Sequence, residues 1–218
     1  MSGPAGDART PPPTPAAATS SFHLGHWAGE HPDRPAVIMT GSGEVTTYRQ
    51  LDERSNRLAH VLRRSGLRTG DHLALMMENS SALLEVAWAA QRAGLYYTAL
   101  NSHLRRDEVQ HILDDCGAEA FFVSGALGAV ARALDLGRIR LRVSVGGEVP
   151  GFEPFDQVLA RGEATQIADE AEGREMLYSS GTTGVPKGVR KQLTGGPPGD
   201  PESASVIIAR NIGSRGID

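Results

Sequence analysis

The chain has 218 residues, 39% of them hydrophobic and 22% charged, which suits one large domain or two small ones with a buried core. Lys and Arg number 22 against 26 Asp and Glu, a formal charge of -4, so there is no net pull towards nucleic acid or an anionic membrane and any polyanion must be held locally. The one cysteine, Cys116, excludes an intrachain disulfide and a Cys-based metal cluster. The longest apolar run, Ala82 to Ala90 with Glu85 inside it, is far short of the roughly 20 residues that span a bilayer.

Residues 1–20 contain Pro11-Pro-Pro-Thr-Pro15 and then small residues, a composition that buries almost nothing and predicts a disordered tail. Such a start lacks the basic and then apolar order of a secretory signal, so the expected compartment is cytoplasmic. Residues 21–190 read as one partial domain and 191–218 as a Gly/Pro-rich segment with a truncated continuation. In chain order, Pro35 to Met39 and Val45 to Tyr48 flank Gly41-Ser-Gly43 and predict a hairpin. Thr47 and Gln50 form a capping box for a helix whose core positions are Leu51, Ser55, Leu58, Ala59 and Leu62, with Gly66 as its stop. Strand Asp71 to Met77, a helix capped by Asn79 or Ser80 and running to about Ala93, and strand Leu95 to Ala99 follow.

The alternation continues with a helix from Arg106 to Cys116, strand Ala120 to Val123, a helix near Ala126 to Leu134 and strand Leu141 to Val145. A short helix over Phe155 to Arg161 precedes a strand from Glu175 to Tyr178. This is an α/β pattern that predicts a parallel-rich sheet flanked by crossover helices. Gly195 to Gly199 reads as flexible or turn-rich, and Ala204 to Arg210 as one more short helix.

Chemistry concentrates in Tyr178-Ser-Ser-Gly-Thr-Thr-Gly-Val-Pro-Lys-Gly-Val189. Gly181, Gly184 and Gly188 let backbone N–H groups turn towards an anion, and the hydroxyls of Ser179, Ser180, Thr182 and Thr183 can donate to phosphate or help hold magnesium. Lys187 adds a mobile positive charge, and Pro186 limits the freedom lost on closure. A Walker loop is excluded because Pro186 stands where its second Gly belongs and Gly188 follows Lys187.

That string resembles the signature of the adenylate-forming superfamily of acyl-CoA synthetases, peptide-synthetase adenylation domains and luciferases. The order TYRQLDERSNRLAHVLRRSGLRTGDHLALMMENS, EVAWAAQRAGLYYTALN and DDCGAEAFFVS is similar to the N-terminal region of the acyl-CoA synthetase branch, from about Trp27 to Val189. The resemblance implies an incomplete N-terminal domain of that fold, with ATP, Mg and, as co-substrate, CoA. It implies a small-molecule carboxylic acid, with fatty acid as the family-level choice, attacking the α-phosphate to give acyl-adenylate and pyrophosphate before CoA displaces AMP. The nucleotide-binding residues it implies are Ser179, Ser180, Gly181, Thr182, Thr183, Gly184, Pro186 and Lys187, with Ser179 also towards magnesium.

Two departures stand out. Arg190-Lys-Gln-Leu193 replaces the Thr-His or Ser-His pair of many members, and Arg105 replaces a capping Thr or Ser three residues before Glu108, which is expected to lose a capping box. The family's downstream adenine, ribose, hinge and C-terminal Lys motifs are not found, so the catalytic residues are expected beyond Asp218 and the chain alone is expected to be inactive. Alternatives are a non-catalytic nucleotide- or phosphate-binding module, one half of a split ligase with a second chain, or a remnant whose incomplete sheet leaves an open edge. Elsewhere, His23, His26 and His31 read as solvated rather than as a metal site, Asp114 and Asp115 as a solvated helix end, and Cys116, Met76, Met77 and Trp88 as core. Arg190 and Lys191 read equally as an extension of the anion site or as surface charge.

Overall fold

The computed structural model describes residues 23–179 and 186–199. The predicted tail and the helix at 204–210 lie outside the described residues. The chain opens with α1 (Leu24–Glu30), then the antiparallel pair β1 (Pro35–Ile38) and β2 (Val45–Thr47), joined through a turn in which Gly43 takes φ 74°. The Thr47–Gln50 box forms as expected and starts α2 (Tyr48–Arg64), whose buried side includes Leu51, Ser55, Leu58, Ala59 and Leu62.

Next come β3 (His72–Met76), α3 (Ser81–Arg92), β4 (Tyr96–Leu100), α4 (Arg106–Cys116), β5 (Ala120–Ser124), a 3-10 turn at Gly125–Leu127, α5 (Gly128–Arg132) and β6 (Leu141–Val145). They are followed by β7 (Glu153–Pro154), α6 (Phe155–Ala160), β8 (Arg174–Glu175), β9 (Leu177–Ser179) and β10 (Lys187–Val189). Among the described residues, six strands form one parallel sheet in the order β7-β6-β5-β3-β4-β8. The connections from β3 to β4, β4 to β5 and β5 to β6 carry the crossover helices that the alternation predicted, while β7 joins β6 through a short link.

Period-two alternation divides the core. Leu73, Leu75, Phe122 and Val143 face α2, α3 and α6, while Ala74, Met76, Phe121 and Val123 face α4 and α5. Burying each large side chain is worth about 1.5–3 kcal/mol, so both layers are needed to hold the sheet. Ser80 stands at the N-cap of α3 without a side-chain cap bond. At α4 the Arg105 side chain makes none either, since a guanidinium has no acceptor, but the other half of the box persists: Glu108 accepts the Arg105 N–H at 2.9 Å.

One strand expectation needs correction. The single strand expected at 175–178 is two, because the chain changes sheets at Met176: its N–H still bonds the Tyr97 carbonyl of β4 at 2.9 Å, and the next residue already pairs with β10. Of the two readings of Gly195–Gly199, turn-rich is the one observed: Glu172 donates its N–H to the Gly196 carbonyl at 2.9 Å and accepts the Gly199 N–H on Oε2 at 2.6 Å.

Across the α1–α2–α3 junction, the fully buried Arg92 binds Asp52 at 2.7 Å, bonds Asn56 and lies 3.5 Å from Glu170. His23 is buried as well, not solvated: it N-caps α1, its Nδ1 accepting the Gly25 N–H at 3.2 Å, and it meets Trp88 edge-on. Burial, with the nearby Arg92 charge, holds its imidazole down to about 3. No group of three His, Cys, Asp or Glu suited to a metal occurs among the described residues.

Candidate functional site

The glycine and hydroxyl loop springs from the hairpin of β9 and β10, in which Ser179 pairs with Lys187, Tyr178 with Gly188 and Leu177 with Val189. Ser179 and Lys187 are exposed and face each other in register, so a hydroxyl and an ammonium stand at the two feet of the loop. Ser180, Gly181, Thr182, Thr183 and Gly184 lie outside the described residues. Pro186 is half-buried, and its carbonyl lies 3.3 Å from Nε2 of His111.

The hairpin is fixed from two sides. On the α4 side, the Tyr178 hydroxyl donates to Asp115, and burial followed by that hydrogen bond pushes its phenol far above the ordinary tyrosine range. Asp115 is therefore more than a solvated helix end. On the sheet side, Thr98 and Tyr96 of β4 donate to the carbonyls of Met176 and Lys191 at 2.9 and 2.7 Å. Arg174 reaches from β8 to the Gln192 carbonyl at 2.9 Å.

Gly188 sits where a side chain has no room. A Cβ there would run into Met176 Cε and stand 2.8 Å from Tyr178 Cζ, so the absence of a side chain is what lets β10 lie on the first leg. Arg190 is held rather than free: its guanidinium carbon lies 4.2 Å from the Tyr96 ring centroid and it donates to the Gly70 carbonyl at 3.2 Å. Lys191 is exposed, and its carbonyl takes the Tyr96 proton.

Sequence reasoning identified the loop and missed its supports. His111, Asp115, Tyr96 and Thr98 lie 63 to 95 residues from their partners, and no local spacing links them. Three core readings hold, for Cys116, Met76 and Met77, while Trp88 is only partly buried, against His23. Burial pushes the Cys116 thiol up to about 12. No described helix is long and apolar enough to cross a membrane.

A family profile described as AMP-binding enzyme matches residues 24–192. The chain is 32% identical over 173 residues to the fatty acid–[acyl-carrier-protein] ligase ScoC of Streptomyces coeruleorubidus, covering 78% of this chain and 31% of that protein. It is 33% identical over 154 residues to a feruloyl-CoA synthase of an Amycolatopsis species, covering 70% and 29%. Among solved structures, the inhibitor-bound N-terminal domain of FACL13 from Mycobacterium tuberculosis superposes with TM-score 0.64 at 28% identity over 76% of this chain and 42% of that one. The anthranilate CoA ligase AuaEII in complex with anthranoyl-AMP gives TM-score 0.65 at 22% identity over 76% and 33%, a likeness of fold. The chain thus spans under a third of the length of both curated relatives.

Proposed function

Because the chain belongs to the AMP-binding enzyme family and carries the N-terminal portion of the adenylate-forming ligase fold, we propose that it is the nucleotide-gripping part of an ATP-dependent acyl-CoA synthetase. The observation that carries this reading is the hairpin that sets Ser179 opposite Lys187 at the feet of a glycine and hydroxyl loop, inside the family-matched span. Such a donor set suits a polyphosphate: an ammonium acts as a mobile point charge, and a hydroxyl donates to phosphate or ligates a hard cation.

In this reading ATP supplies the activated α-phosphate, and a carboxylic acid is the group it activates, with CoA as the later thiol. Fatty acid is the favoured substrate class, supported by the activity named for ScoC, while the feruloyl relative keeps aromatic acids within range. Lys187, with Ser180, Gly181, Thr182, Thr183 and Gly184, would hold the β- and γ-phosphates through ammonium, hydroxyl and backbone donors, and Ser179 would supply a hydroxyl to magnesium. Arg190 is held against the Tyr96 ring and the Gly70 carbonyl, beside the second leg of the hairpin.

The 218-residue chain by itself binds nucleotide without turnover, because holding two phosphates does not orient the α-phosphate against a carboxylate. Isothermal calorimetry with Mg-ATP, paired with a pyrophosphate-release assay over a panel of carboxylic acids, tests this. Saturable binding that Lys187→Ala weakens, with no release of pyrophosphate, is the expected outcome. Release by the pure chain would overturn the inactivity, and absence of any binding would overturn the loop assignment.

A further inference from the structure

Two strands that contribute no loop residue hold both of its legs. Thr98 and Tyr96, two apart on β4, extend their side chains from the same face of the strand. The first ties Met176, just before β9, and the second ties Lys191, just after β10. Beside them on β3, His72 is the register partner of Tyr96, lies almost parallel to its ring at 5.9 Å and 19°, and brings Nε2 to 2.8 Å from Thr98 Oγ1.

Proton counting fixes the roles. The Thr98 hydroxyl has one proton, and the Met176 carbonyl can only accept, so that proton goes to Met176 and Thr98 must accept from His72. Nε2 of His72 therefore carries a proton, burial and the Arg190 charge favour the neutral ring, and its buried Nδ1 is without a partner among the described residues. Valine would fill the volume of Thr98 and would leave the Met176 carbonyl and the His72 Nε2–H unsatisfied.

We propose that His72, Thr98 and Tyr96 form a positioning relay that sets the spacing of the two legs of the nucleotide loop, so that affinity for a polyphosphate depends on a hydroxyl that never touches it. The proposal rests on the reading of the loop given above. The relay runs from the sheet interior through one proton to each leg: His72 orients Thr98, Thr98 fixes Met176, and Tyr96, with His72 and Arg190 both against its ring, fixes Lys191.

The test compares Thr98→Val, Thr98→Ser and Tyr96→Phe in the full chain. Calorimetry uses inorganic tripolyphosphate and Mg-ATP, and amide hydrogen exchange is followed at residues 176–179 and 187–191 and, as a reference, in α2 and β5. Thr98→Val is expected to weaken tripolyphosphate about tenfold, the effect of one lost hydrogen bond, and to speed exchange in the hairpin alone. Thr98→Ser restores both, and Tyr96→Phe loosens the second leg more than the first.

Unchanged hairpin exchange and unchanged binding in Thr98→Val would overturn the relay. So would faster exchange throughout α2 and β5, which would make the hydroxyl a support of the whole core. If the unaltered chain binds neither probe, the loop reading falls and takes the affinity claim with it. The exchange arm then decides whether the relay spaces the legs.

Discussion

The hydroxyl of Tyr178 donates to the carboxylate of Asp115, which joins the first leg of the loop hairpin to the last turn of α4. A neutral donor on an ionised acceptor is among the stronger single hydrogen bonds, and here it spans 63 residues of chain. Tyr178→Phe removes it and keeps the ring, and should lower stability by about 1 kcal/mol. Urea titration with Asp115→Asn as the second corner of a double-mutant cycle measures the coupling, and zero coupling would show that the contact contributes nothing.

Alkaline pH should act on the same region. Burial, with the charge of Glu175, pushes the Tyr97 phenol up to about 12, and Tyr178 is raised further. A raised phenol binds its proton more tightly folded than unfolded, so its contribution is complete below about pH 10 and is lost as pH rises through the folded value. Ultraviolet titration should show Tyr97 and Tyr178 ionising late. Both ionising at about 10 with the fold intact would contradict it.

Acid should act through the histidines. His72 is held down to about 4 by burial and the Arg190 charge, and His23 to about 3. Both are neutral in the fold and protonated when unfolded below about 6.5, so their contribution is full above that pH and drains away as pH falls through 4 and then 3. Glu85 and Glu170, raised by burial, act with the opposite sign. Thermal melting from pH 7.5 to 4 should show a falling midpoint that His72→Gln flattens, and equal slopes in the two proteins would refute the assignment.

Gly188→Ala places a Cβ against Met176 and the Tyr178 ring. The methionine end can swing aside, but the ring is pinned by Asp115, so the strain should fall on the hairpin. Weaker Mg-ATP binding with a melting midpoint nearly unchanged is the expected result. A midpoint fall comparable to that of a core deletion would mean that the hairpin and the sheet unfold as one unit.

Arg92 is fully buried among Asp52, Asn56 and Glu170, and its truncation would strand buried acceptors and charge. Arg92→Ala should therefore destabilise the chain by about 3–5 kcal/mol. Arg92→Met, which refills the volume but still leaves the carboxylates without their cation, should recover only part of that. Full recovery by methionine would show that packing, and not charge, is what the site supplies.

How much of this was legible in the sequence follows from the range of each interaction. The box of Thr47 and Gln50, the span of α4 and the limits of β6 are set within a few residues, and each appears where spacing placed it. The candidate loop stood out in the sequence because its chemistry is contiguous. Its supports did not: Thr98 looks like an ordinary strand residue until the fold brings Met176 beside it, and Asp115 looks like helix-end charge until Tyr178 arrives. The split at Met176 was hidden for the same reason, since only the neighbouring strand decides where one sheet ends and the next pair begins.

The short parallel contact of β8 with β4 also orders events in time. The bond from Thr98 to Met176 closes 78 residues of chain, while the pairings of β3 with β4 and β5 can form from polypeptide made much earlier. Long closures are entropically the slowest to reward, and a ribosome releases residue 98 well before residue 176. The β3, β4 and β5 pairings can thus stand before residue 176 is made, and β8 and the β9–β10 hairpin then join the edge of a sheet already laid down.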